Sequence, residues 1–380
     1  MKILLEAFVD NNFGDNLFLH IVTAKNPEHS FYMLEKAAYA ASYRIIEKEI
    51  PNLVVCKDES FLKEMEGMCI VGGDLFWDKG DYSELIRHAH AVKKQGGRVA
   101  ILGFSLFPKY SLRTWFDLAV LFAHADQIVV REETSYQQLK KHLPWISAVS
   151  ATDLAFTTDV REVKQEAVQK GLLGVSIRKK IQKDSDVQYP KYCRAVADLI
   201  EEYLGESEEH QVNFLALSSG VYDDRKAAED IRALCREEFQ TRMLCTSFEG
   251  NVEKYLREIQ KCEKLICTRF HALVFAILLE KEFFPIIYEE KMDRLLDALD
   301  YKENRVRYED AAKNTLNFHV CSGDALNRYL QKAELFSTEL KLKKTGNKGF
   351  SGLFYVLYQL KELLLRQLYR RLFGRNGKSE

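Results

Sequence analysis

The sequence predicts an α/β protein: two Rossmann-like domains facing each other across a cleft, followed by a C-terminal amphipathic helical tail. Short β-type runs alternate with longer helical stretches along most of the 380 residues, the pattern left by parallel sheets with helices on both faces. The alternation runs through twice, and a polar stretch at 157–170 separates the rounds. The length suits two domains and an appendage at roughly 150 residues per domain, with enough chain to bury a core without disulfides or metals. The expected boundaries are 1–160, 161–340 and 341–380.

In the first round, apolar runs at 3–9, 31–34, 53–56, 68–72, 98–104 and 127–131 have the length and composition of buried strands. Helical stretches at 35–49 and 82–94 fall between them. In the second round the strands are 172–177, 212–217, 242–245, 264–267 and 283–288, with helices at 193–203, 224–237 and 252–261. The eight cysteines form no C-x-x-C pair, and several lie inside apolar runs, so they read as reduced, buried small hydrophobes. Residues 1–10 hold a short apolar run broken by Glu6 and ended by Asp10, unlike a secretion signal. No apolar stretch is long enough to span a bilayer. A cytoplasmic body is the expectation.

A net charge of -1 gives no pull toward nucleic acid. That average hides an asymmetry: residues 341–380 carry ten Lys or Arg and two Glu, so the tail is +8 and the preceding 340 residues are -9. A basic appendage on a mildly acidic body meets an anionic surface. Phe350, Leu353, Phe354, Leu357, Leu360, Leu364, Leu368 and Leu372 recur at helical spacing, with Lys361, Arg366, Arg370, Arg371 and Arg375 around them. Such a helix can lie in an anionic membrane interface, reached through the polar linker 341–349. A helix docked on its own core or on a second subunit has the same periodicity.

In doubly wound sheets the ligand site lies at the carboxyl ends of the strands. The first strand empties into Asn11-Asn12-Phe13-Gly14-Asp15-Asn16, where Gly14 leaves room for a ligand at a helix N-terminus. A tight turn capped by Asp15 or Asn16 explains the same residues. The fourth strand ends in Gly72-Gly73-Asp74, the glycines again making room, or forming a plain turn, and Asp74 expected to point into the cleft. The fifth ends in Gly103-Phe104-Ser105. The sixth ends in Val130-Arg131 with Ser135 beyond, and a guanidinium there suits carboxylate or phosphate, or pairs with Glu132 or Glu133. In the second round, Cys267-Thr268-Arg269-Phe270-His271-Ala272 joins a strand to an apolar helix. An Arg and a His two residues apart at such a junction suit anion binding and acid–base work.

Taken in order, these exits resemble the polysaccharide pyruvyl transferase family over about residues 1–299. The matching elements are Asn12-Phe13-Gly14-Asp15, Gly72-Gly73-Asp74, Gly103-Phe104-Ser105, Val130-Arg131 with Ser135, Asp153-Leu154-Ala155-Phe156 and Arg269-Phe270-His271-Ala272, then Pro285 and Lys291. The chain departs from the pattern at Val71, Phe107 and Leu154. The resemblance implies a fold like that of GT-B glycosyltransferases and transfer of pyruvate from phosphoenolpyruvate onto a sugar as a ketal. The acceptor would be a sugar of a cell-surface glycan or its lipid-linked precursor. It implies an acceptor side in residues 1–160 with Asn12, Gly14, Gly72, Gly73 and Asp153, and a donor side in 161–340. Arg131 and Arg269 would clamp the donor with Ser105 and Ser135. His271 would donate a proton to the methylene carbon or to the leaving phosphate, and Asp15 or Asp74 would orient or deprotonate acceptor hydroxyls. No metal and no cofactor beyond the donor is expected. A nucleotide-sugar glycosyltransferase and a catalytically silent glycan-binding relative are the competing expectations. Location at the inner face of the membrane would follow from the tail.

Overall fold

A computed structural model describes residues 1–179, 187–303, 305–308, 310, 316–334, 352–361 and 363. Seven strands form the first sheet: β1 (Lys2–Glu6), β2 (Ser30–Leu34), β3 (Leu53–Cys56), β4 (Gly67–Val71), β5 (Arg98–Phe104), β6 (Gln127–Val130) and β7 (Val149–Ser150). They are all parallel, in the order β3-β2-β1-β4-β5-β6-β7. The second sheet holds β8 (Gln169–Ser176), β9 (Gln211–Ala216), β10 (Met243–Ser247), β11 (Cys262–Cys267), β12 (Glu282–Ile287) and β13 (Val306–Arg307). It too is parallel, in the order β10-β9-β8-β11-β12-β13. Central strands β4 and β5 are buried at every residue, as expected for strands covered on both faces.

The crossovers of the first sheet are α1 (Phe13–Ala24), α2 (Ala40–Glu49), α3 (Ser83–Lys94), α4 (Leu112–His124) and α5 (Glu133–His142). Those of the second are α6 (Gln188–Gly205), α7 (Arg225–Leu234), α8 (Glu237–Gln240), α9 (Val252–Lys261), α10 (Phe270–Leu278) and α11 (Glu290–Ala298), with α12 (Asp324–Glu334) after the sheet. The expected helix 224–237 is split: Cys235 and Arg236 adopt extended backbone between α7 and α8. The expected strand 3–9 ends at Glu6, because Asp10 to Asn12 turn away to pair with the other half of the molecule.

That pairing closes much of the expected cleft. Phe13 N donates to Leu217 O at 2.8 Å, and Asn12 and Ser218 form an antiparallel bridge. Asn11, in the left-handed region at φ 46°, donates Nδ2 to Ser219 Oγ at 2.5 Å. Asp10 accepts Val221 N through both carboxylate oxygens at 3.0 Å. The Phe13 ring then inserts among Phe248, Tyr255 and Phe275, and one apolar core runs through both sheets' facing helices. The helix α12 returns to the junction, where Tyr329 meets Phe156 edge-on.

Residues 352–361 are helical and dock on the first unit through Phe354, Tyr355 and Tyr358. The sequence left open whether the tail reaches away from the body or packs on it; in this segment, buried Tyr358 belongs to the core formed with α3 and α4. The linker 341–349, Phe350 and the Leu and Arg positions from Leu364 onward lie outside the described residues.

Candidate functional site

Strand order reverses between β1 and β4 in one sheet and between β8 and β11 in the other. Such switch points open a crevice at the strand ends, and here the two crevices meet. A cavity of about 240 Å³ lies between them, lined by Asn12 and Asp15 after β1, Gly73, Asp74 and Trp77 after β4, Thr268 to His271 after β11, and Tyr288, Glu289, Lys291 and Met292 after β12, with Arg131 at its wall. A larger cavity of about 500 Å³ lies beyond that wall and shares Arg131, Phe270 and Lys291 with it.

The α1 end of the site is capped by Asn12, whose Oδ1 accepts Gly14 N at 2.9 Å and Asp15 N at 3.4 Å. Neither Asp15 nor Asn16 is the cap, so Asp15 is free to face the cavity from the first helical turn. Gly14 and Gly73 do make room, but for side chains of the protein. A Cβ on Gly14 would stand 2.1 Å from His271 Cε1 and Nδ1, and one on Gly73 would stand 2.2 Å from Arg131 Nη1. Gly72 faces the Leu75 side chain in the same way.

Arg131 is buried, and all three guanidinium nitrogens have protein acceptors. Its Nε donates to Ser105 Oγ at 2.6 Å, Nη1 to Asp153 Oδ2 at 3.1 Å and Nη2 to Asp74 Oδ1 at 2.6 Å. Gly103, at φ 75°, supplies the β-bulge between β5 and β6 just before Ser105. The expected open fork at Arg131 is thus closed, because a buried guanidinium must be paired. Arg269 is likewise turned onto Asp224, a buried carboxylate that it meets through Nε at 3.0 Å and through Nη2. Asp224 also accepts the backbone amides of Lys179 and Ser218. Ser105 and Ser135 are both buried and line neither cavity; Ser135 Oγ accepts Leu106 N at 2.8 Å and donates to Glu132. Asp153 caps the 3-10 turn Leu154–Thr157 through Ala155 N and lines the larger cavity.

Lys291 completes the site. It donates to Asp74 Oδ2 at 2.8 Å and Glu289 at 2.6 Å, so the Asp74 carboxylate bridges Lys291 and Arg131 across the cavity. Its position at the N-terminal end of α11, on the exit of β12, is the same signal that marked Arg269 after β11. Burial pushes Asp74 up, but Lys291 and Arg131 outweigh it and hold the carboxylate well below its ordinary range. Burial works against charge on Lys291 too, and Asp74 and Glu289 keep it protonated.

The two remaining titratable groups are pushed in opposite directions. Burial, helped by the Asp74 charge, raises Asp15 to about 7 against the opposing pull of Lys291 and Arg131. Burial lowers His271 to about 4, with Asp153 opposing it and Lys291 and Arg131 adding to it. His271 is therefore a neutral imidazole near pH 7 and not the stored proton expected of it, while Asp15 is a carboxylic acid up to neutrality. Among the described residues His271 Nε2 is buried without a hydrogen-bond partner, 3.9 Å from Asp153 Oδ1. Groups whose environments separate their pKa values in this way suit paired acid–base roles. Glu59, Glu84 and His88 bring possible metal-ligand atoms within 4.8 Å of one another, but Arg87 clamps Glu59 at 2.6 Å through both carboxylate oxygens and none of the three lines either cavity.

The family model for polysaccharide pyruvyl transferase matches residues 12–290. No curated protein sequence matches the chain. Among solved structures, the chain is similar to S. aureus MnaA in a co-structure with UDP, at 9% identity and TM-score 0.52, over 100% of this chain and 99% of that one. It is similar to UDP-GlcNAc 2-epimerase from Methanocaldococcus jannaschii at 8% identity and TM-score 0.52, over 96% and 100%. At these identities the likeness carries the fold, the two-sheet architecture of GT-B enzymes, and nothing finer.

Proposed function

The chain belongs to the polysaccharide pyruvyl transferase family, and from that premise we propose that the smaller cavity binds phosphoenolpyruvate and transfers its pyruvyl group to a sugar as a ketal. The observation that carries this reading is the Asp74 carboxylate held between Arg131 and Lys291. It occupies the place an anionic group of the donor would take, and the donor displaces it. Arg131 and Lys291 then hold the donor, and Arg269 faces the same cavity from the opposite wall.

Ketal formation adds a proton to the donor's methylene carbon, joins two acceptor oxygens to the adjacent carbon and releases phosphate. Asp15, protonated near neutrality, supplies the proton to the methylene. The first hydroxyl adds to the cationic carbon and gives its proton to neutral His271. His271 passes that proton to the departing phosphate. The second hydroxyl closes the ketal and returns its proton to Asp15, so both groups end as they began. Asp74, released from its two cations, is left to orient the acceptor hydroxyls. Trp77, 47% exposed at the cavity, offers a flat apolar face to the acceptor ring.

The test is incubation with phosphoenolpyruvate and a panel of nucleotide- and lipid-linked sugars, read by mass and by phosphate release. The reading expects one acceptor to gain a pyruvate less one water, with one phosphate released per transfer. Sugar transfer from a nucleotide donor without phosphoenolpyruvate would instead identify a glycosyltransferase.

A further inference from the structure

The helix at 352–361 meets different surroundings on its two faces. One face is docked. Tyr358 is buried, Tyr355 stacks on His90 with ring centroids 3.5 Å apart and planes 4° from parallel, and Lys361 pairs with Asp117 on α4. On the opposite face Leu353, Val356, Leu357, Leu360 and the nearby Leu363 are 58, 54, 44, 50 and 53% exposed. At helical spacing these five fall within an arc of about 120°. A continuous aliphatic stripe of this kind marks a surface that something covers. Trp145, also largely exposed, lies beside docked Phe354 with ring centroids 6.5 Å apart.

Charge selects the occupant. Beyond the paired Lys361 the sequence carries Arg366, Arg370, Arg371, Arg375 and Lys378 against Glu362 and Glu380. Pairing the stripe with the same stripe of a second copy would bring two such cationic segments together, which like-charge repulsion opposes. A surface with an apolar interior and fixed negative charge satisfies both features at once. Among the described residues no helix is long and apolar enough to cross a membrane.

We propose that the outer face of this helix seats in the headgroup region of an anionic lipid bilayer, with the docked face holding the protein body to it. The proposal does not depend on the reaction assigned to the cavity.

The experiment is co-sedimentation of the full chain with phosphatidylcholine vesicles that contain or lack phosphatidylglycerol. The bound fraction should rise at least about tenfold with phosphatidylglycerol and fall as salt is added. The double variant Leu357→Glu with Leu360→Glu should lose binding while keeping its melting temperature, since both side chains point outward. A wild-type chain that stays in the supernatant with anionic vesicles overturns the proposal, as does a double variant that sediments like wild type. Equal binding to both vesicle types overturns the anionic part. A wild-type dimer that the double variant converts to a monomer would make a second copy the occupant and overturn the proposal as well.

Discussion

A methyl group at position 14 would collide with the His271 ring, and one at position 73 with the Arg131 guanidinium. These two glycines let side chains from the exit of β6 and from α10 cross beneath the loops after β1 and β4, and that crossing assembles the site. The chemistry then depends on Asp15 and His271. If Asp15 must be protonated, kcat/KM falls as pH rises through about 7, where it ionises. If His271 must be neutral, the rate falls as pH drops toward about 4, where the imidazole takes a proton. A pH profile of kcat/KM should therefore be bell-shaped between those limits, and Asp15→Asn should lose about 10²–10⁴-fold in rate. Activity rising steadily above pH 8 would remove Asp15 as the acid. The residues of the cavity, Asp15, Asp74, Arg131, Arg269 and His271, were legible in the sequence because each follows an apolar strand. Which carboxylate pairs with which guanidinium was not. Asp153 lies 22 positions from Arg131 and Asp224 lies 45 from Arg269, and only the folded chain brings each carboxylate to its guanidinium. The protonation of His271 was also out of reach, since burial sets its sign.

At the scale of elements, the loop between β1 and α1 joins the halves. Phe13 is fully buried among Phe248, Tyr255 and Phe275. Phe13→Ala should cost about 3–5 kcal/mol, measured by denaturant unfolding, and should loosen both halves together because the ring belongs to a core they share. A loss confined to the first half would show that the units fold independently. Period-two and period-3.6 patterns located most strands and several helices. They missed α4, where the near-continuous apolar run at 118–122 conceals the helical period, and the two-residue edge strands β7 and β13, which are too short to carry a pattern. The split of 224–237 follows from an extended backbone at Cys235 and Arg236 that no composition signal marks. The tail's periodicity was legible, but the same spacing served both a docked face and an exposed one. The aromatic residues Tyr355 and Tyr358 take the inner face and the aliphatic ones the outer.

For the whole molecule, the repeated alternation of strand and helix was enough to predict two parallel sheets, because parallel strands need helical crossovers. It could not predict how far the halves close on one another, which depends on Asp10, Asn11 and Phe13 engaging residues more than 200 positions away. Closure places the two switch points face to face and leaves a cavity with three cations, two of them bridged by the Asp74 carboxylate. Calorimetric titration of phosphoenolpyruvate into the wild type, Asp74→Ala and Lys291→Ala tests this most directly, with a nucleotide sugar as the control ligand. Wild type should bind phosphoenolpyruvate and not the nucleotide sugar, Asp74→Ala should bind it more tightly because the internal competitor is gone, and Lys291→Ala should bind it at least about tenfold more weakly. A cavity that binds the nucleotide sugar, or one whose phosphoenolpyruvate affinity is the same in all three proteins, would contradict the account.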